Sequence, residues 1–273
     1  MRESSFRRTV AQFVREKVVR RILPDSVSGN LNRNDRTGAL YRAWGHVFTS
    51  HIEGAYYEFG VYRGAAFRAS VQAYKIFSDW QQDQLVSEEP WRQDWARQYV
   101  QYKHHFYAFD TFQGMPGNQE GNLNFAEGNL SCSLEEFRRL NRQAGIVENP
   151  RIRYFVGTFR ETAQRDTRLL RDLQPAAIVN LDCDLYQSAR EALDLIAPKL
   201  AQGTVLLVDD WNTFAARRDQ GERRALKEFV LEHPQLSLEP WFPYEFAGQS
   251  FLVHVADEKP VVSSSSLGER NLL

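Results

Sequence analysis

Short apolar runs alternate with helical periodicity along most of the chain. Seven runs have the apolar content of buried strands: AYYEFGV, FYAFD, IRYFVG, AAIVNLD, TVLLVDD, LSLEPWF and QSFLVHV. Between them, apolar residues recur every three or four positions and predict helices over residues 65–77, 133–144, 187–200 and 221–233. Strands that are apolar on both faces and separated by helices need a mostly parallel sheet covered on each side. The pattern therefore predicts an α/β fold with a doubly wound, mostly parallel seven-stranded sheet, whose last two strands form an antiparallel hairpin.

An amphipathic helix precedes this domain. Residues 6–23 carry one apolar stripe made of Phe6, Val10, Phe13, Val14, Val18 and Ile22. A basic amphipathic helix can lie on an anionic lipid surface. We favour packing against its own domain or a second copy of the chain, since the stripe needs burial. We expect an N-terminal helix and linker (residues 1–37), a main domain (38–255, opening with a helix at 38–50) and a disordered tail (256–273) of low apolar content.

Residues 78–105 form an insertion, because a helix-to-strand connection needs only a few residues. Its aromatic residues are spaced to share one helix face: Trp91, Trp95, Tyr99 and Tyr102. Packing of this face on the domain is favoured over a stacking platform for a ligand.

The charge and cysteine content narrow the functional classes. The chain has 34 Lys and Arg against 35 Asp and Glu, so no broad basic surface and no nucleic-acid partner are expected. No apolar run approaches the roughly 20 residues of a membrane span, and the first residues lack an apolar signal core. Cys132 and Cys183 are too few and too far apart for a disulfide framework or a zinc knuckle. We therefore expect a cytoplasmic protein without a membrane span.

Ligands of open α/β sheets bind beyond the carboxyl ends of the strands. The first predicted strand runs into the turn EFGVYRG (residues 58–64), whose glycines allow a ligand to approach the backbone closely. This turn is not the full G-x-G-x-x-G motif, and a plain tight turn explains it equally well. Asp110 ends the second strand, where a nucleoside ribose is bound in such sheets, although a helix cap is the other interpretation.

Four aspartates follow two further predicted strands: Asp182 and Asp184 after IVNL, and Asp209 and Asp210 after TVLLV. Carboxylates placed this close repel one another unless they are protonated or share a cation. An oxygen-only donor set of this kind suits Mg²⁺. Neutralisation by nearby Arg or Lys side chains is the alternative.

Five motifs together resemble a known family. They are EFGVYRGAAF, FDTFQGMP, SLEEFRR, LDCDLYQSAREAL and LLVDDW, in this order between Tyr57 and Trp211. The set resembles the macrocin O-methyltransferases, class I S-adenosylmethionine-dependent and metal-dependent enzymes that act on deoxysugars of macrolide and aminocoumarin antibiotics. The resemblance implies a Rossmann-like class I methyltransferase fold with S-adenosylmethionine and Mg²⁺ as cofactors. Two features depart from the family: the insertion at 78–105, and Trp211-Asn212 where a tyrosine is more usual.

The resemblance also implies which residues hold the methyl donor. Its methionine part would lie at the first turn, its ribose at the end of the second strand and its adenine after the third strand. The residues at these positions are Glu58, Gly60, Tyr62 and Gly64, then Asp110, then Gly157 and Thr158.

The same resemblance implies a metal site and a lid. Asp182, Asp209 and Asp210 match the family's metal ligands, with Asp184 an outside candidate. Residues 113–133, rich in Gly and Asn, resemble the lid that closes over the substrate.

The implied activity is methyl transfer to a hydroxyl of a vicinal diol. A methyl group on a sulfonium is already activated, so the enzyme must align the accepting hydroxyl and remove its proton. A hydroxyl bound to Mg²⁺ loses its proton more easily, and two neighbouring hydroxyls can chelate the ion. Asp182 is the candidate general base. The expected partner is a small-molecule sugar or glycoside, on a natural product or polysaccharide, and the N-terminal stripe predicts a homo-oligomer, a dimer.

Two other functions stay open from the sequence. A metal-dependent glycosyltransferase could use Asp182-x-Asp184 to bind a nucleotide sugar, but it would not need the glycine turn or the second aspartate pair. A methyltransferase-like binding module would bind the donor without turnover, and the presence of all four aspartates weighs against it.

Overall fold

The computed structural model describes residues 30–165 and 171–256 of the 273-residue chain. The predicted amphipathic helix at residues 6–23 and the predicted tail, apart from Ala256, lie outside the described residues. None of the helices in the described ranges has the length and hydropathy of a membrane-spanning segment. Cys132 and Cys183 are both free thiols.

The seven predicted strands are present in the predicted order, with the four helices predicted between them and a further helix at 159–165 that the pattern did not predict. The strands are β1 (Ala55–Phe59), β2 (Phe106–Asp110), β3 (Ile152–Val156), β4 (Ala176–Leu181), β5 (Leu200–Val208), β6 (Leu236–Tyr244) and β7 (Gly248–Val255). The helices are α1 (Arg36–Thr49), α2 (Ala65–Gln84), α3 (Pro90–Arg97), α4 (Leu134–Gln143), α5 (Phe159–Arg165), α6 (Tyr186–Ile196) and α7 (Gly221–Glu232).

The strands form one seven-stranded sheet in the order β3-β2-β1-β4-β5-β7-β6. Strands β1 to β5 pair in parallel, whereas β7 runs antiparallel to β5 and to β6. Every residue of the central strands β1 and β4 is buried, as expected for a parallel sheet with helices on both faces. The predicted mostly parallel sheet and its terminal antiparallel hairpin are confirmed.

The strand order reverses between β1 and β4, and this switch point positions the candidate site. From β1 the chain moves outward to β2 and β3, then returns to the other side of β1 at β4. The register pairs Phe59 with Phe109 and with Leu181, and Leu181 with Val208. The residues that follow these four therefore emerge side by side at one edge of the sheet, where open α/β sheets bind ligands.

Two hydrophobic layers hold the helices against the sheet. Trp44 of α1 and Phe67 of α2 are fully buried on one side, and Leu193 of α6 and Phe229 of α7 on the other. Each such side chain contributes on the order of 1.5–3 kcal/mol through burial of apolar surface. The Trp44 indole N–H donates to the Ser70 hydroxyl at 2.9 Å, so its one polar group is satisfied in the core.

Helix α1 begins two residues before the predicted start at residue 38. The reason is a cap that lies in the predicted loop: an Asp35 carboxylate oxygen accepts the Gly38 N–H at 2.9 Å. This earlier start places Arg36 in the first helical turn.

The insertion is a continuation of α2 to Gln84 followed by the short helix α3. The prediction of one helix face from Trp91 to Tyr102 is wrong, because α3 ends at Arg97. Tyr99 nevertheless packs on the domain, with its ring 4.9 Å from His51 and 5.6 Å from Tyr102 between centroids. Trp91 remains 62% exposed.

Candidate active site

A cleft of about 960 Å³ opens at the carboxyl edge of the sheet, above β1, β2, β4 and β5. Several of the residues predicted from the sequence line it: Gly60, Tyr62, Asp110, Thr158, Asp182, Asp184, Asp209 and Asp210. Glu58, Gly64 and Gly157 are described residues that lie outside this lining. The structure thus brings residues that follow all five parallel strands to one cleft.

The turn after β1 brings the backbone to the floor of the cleft. Gly60 has φ +84°, and a Cβ atom at this position would overlap the carbonyl oxygen of Asp182 on the neighbouring strand end. A side chain is therefore excluded by both conformation and space. The Gly60 N–H donates to the Phe109 carbonyl at 2.9 Å, which ties the turn to β2.

Asp110 organises this same turn. One of its carboxylate oxygens accepts the N–H groups of Val61 (2.8 Å) and Tyr62 (3.1 Å), and the other accepts the Phe112 N–H (2.7 Å). The side chain lines the cleft, and the oxygen that accepts only the Phe112 N–H has a second lone pair. Asp110 therefore serves as a turn cap while it faces the space where a ribose is expected.

Glu58 lies beneath the cleft, not in its wall. Its side chain is 1% exposed and accepts a hydrogen bond from the Tyr56 hydroxyl, two residues earlier on the same face of β1. Burial raises the pKa of the Glu58 carboxyl to about 8, against the opposing effect of the Tyr56 hydrogen bond and the Arg36 charge.

Three carboxylates converge at the ends of β4 and β5. One ligand oxygen from each of Asp182, Asp209 and Asp210 lies within 4.8 Å of the others. Burial raises the pKa of Asp182, and the neighbouring Asp209 raises it further. Burial likewise raises the pKa of Asp184 to about 10, with a second contribution from Asp210, toward which Asp184 is directed. Close packing of buried carboxyl groups is thus the dominant electrostatic feature of the cleft, and it favours either their protonation or a nearby positive charge.

These three carboxylates fit the Mg²⁺ that the resemblance implies. Oxygen ligands at about 2.1 Å from Mg²⁺ lie about 4.2 Å apart when opposite and closer when adjacent, so only small side-chain adjustments are needed. The donor set is oxygen alone, as a hard cation prefers. Asp184 is not part of this group of oxygens within the described residues.

Glu222 holds the two aspartate-bearing turns together. Its carboxylate accepts the N–H groups of Cys183 (3.0 Å) and Asp184 (3.2 Å) on one oxygen and that of Asp210 (3.0 Å) on the other. The side chain is fully buried in the first turn of α7. Sequence reasoning missed this residue because an acidic residue in the first turn of a helix is common for helix-dipole reasons alone.

Arg36 reaches into the acidic cluster from α1. Its guanidinium Nη1 lies 2.8 Å from Asp182 Oδ2, its Nε donates to Asp209 Oδ1 at 3.0 Å, and its Nη2 pairs with Asp209 Oδ2. The neutralisation by an arginine that the sequence left open as an alternative is therefore present. The sequence carried no signal for Arg36, which precedes the aspartates by more than a hundred residues.

Residues 113–133 lie along the mouth of the cleft and contact the opposite wall. The Glu120 carboxylate accepts the Gly221 N–H at 3.0 Å and also the Tyr186 N–H, at the first residues of α7 and α6. The Phe125 ring lies 5.7 Å from that of Phe214 between centroids. Two helix N-termini favour a negative charge at this point, so Glu120 anchors the segment across the cleft.

Sequence comparison finds relatives among O-methyltransferases. The chain is 30% identical over 117 residues to the 8-demethyl-8-(2,3-dimethoxy-alpha-L-rhamnosyl)-tetracenomycin-C 4'-O-methyltransferase of Streptomyces olivaceus, covering 40% of this chain and 42% of that protein. It is 29% identical over 110 residues to the demethyldecarbamoylnovobiocin O-methyltransferase of Streptomyces niveus, covering 37% and 40%. The matched part spans about two fifths of the length of these curated relatives.

Solved structures share the fold over a larger part of the chain. The O-methyltransferase NovP superposes with a TM-score of 0.58 at 21% identity, covering 80% of this chain and 78% of that one. The calicheamicin methyltransferase CalS11 superposes with a TM-score of 0.53 at 20% identity, covering 79% and 76%. The predicted Rossmann-like class I methyltransferase fold is confirmed.

The macrocin-O-methyltransferase (TylF) family profile matches residues 95–233, from the insertion to the end of α7. This segment is half of the chain and includes Asp110, the lid segment and all four aspartates of the cleft. The chain therefore belongs to the macrocin-O-methyltransferase family, as its motifs predicted.

Proposed function

We propose that this protein is an S-adenosylmethionine-dependent, Mg²⁺-dependent O-methyltransferase that methylates a hydroxyl of a vicinal diol on a sugar, most simply a deoxysugar of a natural product. The observation that carries the proposal is the juxtaposition of the Gly60 turn with the carboxylates of Asp182, Asp209 and Asp210 in one cleft. The turn suits a donor that approaches the backbone, and the carboxylates suit an acceptor held by a cation.

The donor half of the site would use the edge formed by β1, β2 and β3. Gly60 and Tyr62 offer the turn to the methionine part, Asp110 faces the ribose position, and Thr158 at the end of β3 faces the adenine position. Glu58 and Gly64 do not line the cleft. The Cβ position of Gly64 meets the Phe137 ring of α4, so this glycine lets α4 pack close to the turn.

The acceptor half would use Asp182, Asp209 and Asp210 as ligands of Mg²⁺. When bound there, the cation lowers the pKa of a coordinated hydroxyl. Asp182 stands between the two halves, because its backbone N–H donates to the Phe59 carbonyl at 3.0 Å, next to the Gly60 turn. This place between the donor turn and the proposed cation supports the general-base role of Asp182. Glu222 holds Asp182 and Asp210 at a fixed relative position, because its carboxylate binds backbone N–H groups of both turns that carry them.

The names of the relatives support a sugar acceptor. One relative is a 4'-O-methyltransferase of a rhamnosyl tetracenomycin, and the other acts on demethyldecarbamoylnovobiocin. The lid segment, anchored by Glu120 across the cleft, would exclude water while the hydroxyl is aligned with the methyl group. A homo-oligomeric state and a cytoplasmic location stay predictions.

The glycosyltransferase alternative is disfavoured. Membership of a methyltransferase family argues against it, and Asp184 is directed toward Asp210 and does not form an oxygen cluster with Asp182. A binding module would bind S-adenosylhomocysteine but would transfer no methyl group.

The test measures methyl transfer and donor binding in parallel. Full-length protein stripped with EDTA is assayed on rhamnosides with free vicinal diols and on the same sugars with one hydroxyl blocked, with and without Mg²⁺. We expect transfer only with Mg²⁺ and a free diol, and a loss of roughly 100-fold or more in Asp210→Asn, with S-adenosylhomocysteine affinity retained. Asp194→Asn, an exposed partner of Arg190 outside the cleft, is the matched control. Full activity in EDTA would refute the metal role, and tight donor binding without turnover on any diol would favour the binding module.

A further inference from the structure

Arg36 occupies the position where a cation would meet the carboxylates. Its guanidinium bridges Asp182 and Asp209, two of the three proposed ligands, and makes a two-pronged contact with Asp209. A guanidinium and a metal ion on the same two carboxylates compete for their lone pairs and repel one another as like charges. Binding of a cation therefore works against the Arg36 contacts and favours their release.

The arginine has a route and an alternative partner. Its side chain is 30% exposed, so it reaches the cluster from the solvent side of the cleft and is not enclosed in the core. Its backbone N–H donates to the Glu245 carboxylate at 2.9 Å, and the Glu245 charge also acts on the guanidinium. Glu245 is exposed in the turn between β6 and β7. Glu245 therefore offers a released guanidinium another carboxylate at the rim of the cleft.

The need for such a counterion follows from the charge of the cluster. Asp182 and Asp209 are held close by the register of β4 and β5 whether or not a cation is present. Without positive charge they repel one another in a poorly solvated site. Arg36 is positioned by the Asp35 cap of α1, a hydrogen bond that involves no group of the cleft.

We propose that Arg36 is an exchangeable counterion: it neutralises Asp182 and Asp209 in the metal-free protein and yields them to a divalent cation when the site is loaded. The inference rests on the proposed metal site and extends it, because Arg36, in the first turn of α1, would then help to set the metal affinity. It predicts that the native metal affinity is weakened by the competing arginine, since breaking its ion pairs with the aspartates reduces the net free energy of metal binding.

The experiment measures metal affinity without donor or acceptor. Full-length protein is freed of metal with EDTA and desalted, and Mg²⁺ and Mn²⁺ are titrated calorimetrically into wild type, Arg36→Gln and Arg36→Lys. Arg42→Gln is the matched control: this arginine lies in the same helix and bonds the Leu31 and Arg33 carbonyls, away from the aspartates. Melting temperatures are recorded in EDTA and at saturating Mg²⁺.

We expect Arg36→Gln to bind Mg²⁺ roughly tenfold more tightly than wild type, with Arg36→Lys in between and Arg42→Gln unchanged. Arg36→Gln should melt below wild type in EDTA, and the difference should close at saturating Mg²⁺. A purely structural arginine would not give tighter metal binding when removed.

Two outcomes would overturn the inference, and they are distinguishable. Equal or weaker Mg²⁺ binding in a folded Arg36→Gln or Arg36→Lys protein would show that Arg36 stays on the aspartates as a permanent partner, while the proposed function stands. Absence of Mg²⁺ and Mn²⁺ binding to all four proteins would refute the metal site itself, and the inference with it. Should Arg36→Gln fail to fold, Arg36→Lys against wild type decides the order of affinities.

Discussion

Replacement of Asp110 by asparagine tests whether this carboxylate holds together the turn after β1. The substitution keeps the shape of the side chain but turns one acceptor oxygen into an N–H₂ donor. If the remaining oxygen faces Val61 and Tyr62, the Phe112 N–H loses its acceptor, and the reverse orientation leaves two N–H groups unpaired. The first orientation is the cheaper one.

The size of the effect follows from the one hydrogen bond that the first orientation removes. A hydrogen bond to a charged group contributes about 1.5–3 kcal/mol, and an unpaired N–H facing another donor adds to the loss. We therefore expect Asp110→Asn to lower the free energy of unfolding by about 2 kcal/mol, which corresponds to about 4–8 °C in melting temperature for a domain of this size. The loss should be present without any ligand, because the three hydrogen bonds are made within the protein itself.

Thermal unfolding of the ligand-free protein is the assay, with S-adenosylhomocysteine binding measured in parallel. Asp35→Asn is the matched control, since Asp35 also accepts a backbone N–H, but at a helix N-cap, where asparagine is as favourable as aspartate. We expect that control to stay within about 0.5 kcal/mol of wild type. Equal stability of Asp110→Asn and Asp35→Asn would refute the turn-cap role. A loss of donor affinity without a loss of stability would assign Asp110 to the ribose alone.

Two further predictions concern the buried carboxyl of Glu58 and the carboxylate of Glu120, which bridges two helix N-termini. The folded-state pKa of Glu58, about 8, lies above the ordinary value of 4.5, so the stability that its neutral form provides is present below pH 4.5 and is lost as the pH rises through 8. Glu58→Gln should therefore flatten the fall in stability between these values, as urea unfolding at pH 5 and pH 8 would show, and an unchanged slope would contradict the burial of this charge. Glu120→Gln should speed amide hydrogen exchange in residues 113–133 by roughly threefold to tenfold, because it weakens the contact with two helix N-termini. Glu127→Gln, an exposed change in the same segment, should leave exchange unaltered, and equal rates in both variants would argue against the anchor.

Local sequence was sufficient to predict the sheet and the positions of the acidic residues along it. Strands β2 and β3 begin at the predicted residues, because their apolar runs are bounded by polar ones on both sides. The two ends of α1 and the extent of α2 were less predictable. A cap such as Asp35 looks like any polar loop residue until its N–H partner is in place.

The sequence by itself determined which residues stand at the ends of strands, since apolar periodicity and strand length are local properties of the chain. It thereby placed Gly60, Asp110 and the aspartate pairs at one edge of the sheet. Only the tertiary structure decided what those side chains meet. Arg36 and Glu222 reach the aspartates because of the strand order and the packing of α1 and α7, and such contacts join residues that are far apart in sequence. The orientation of the Asp110 oxygens toward three N–H groups likewise arose from the turn geometry. Local sequence therefore predicts many of the residues that line the cleft. Many of the charges around them belong to residues distant in sequence, because charges interact through space.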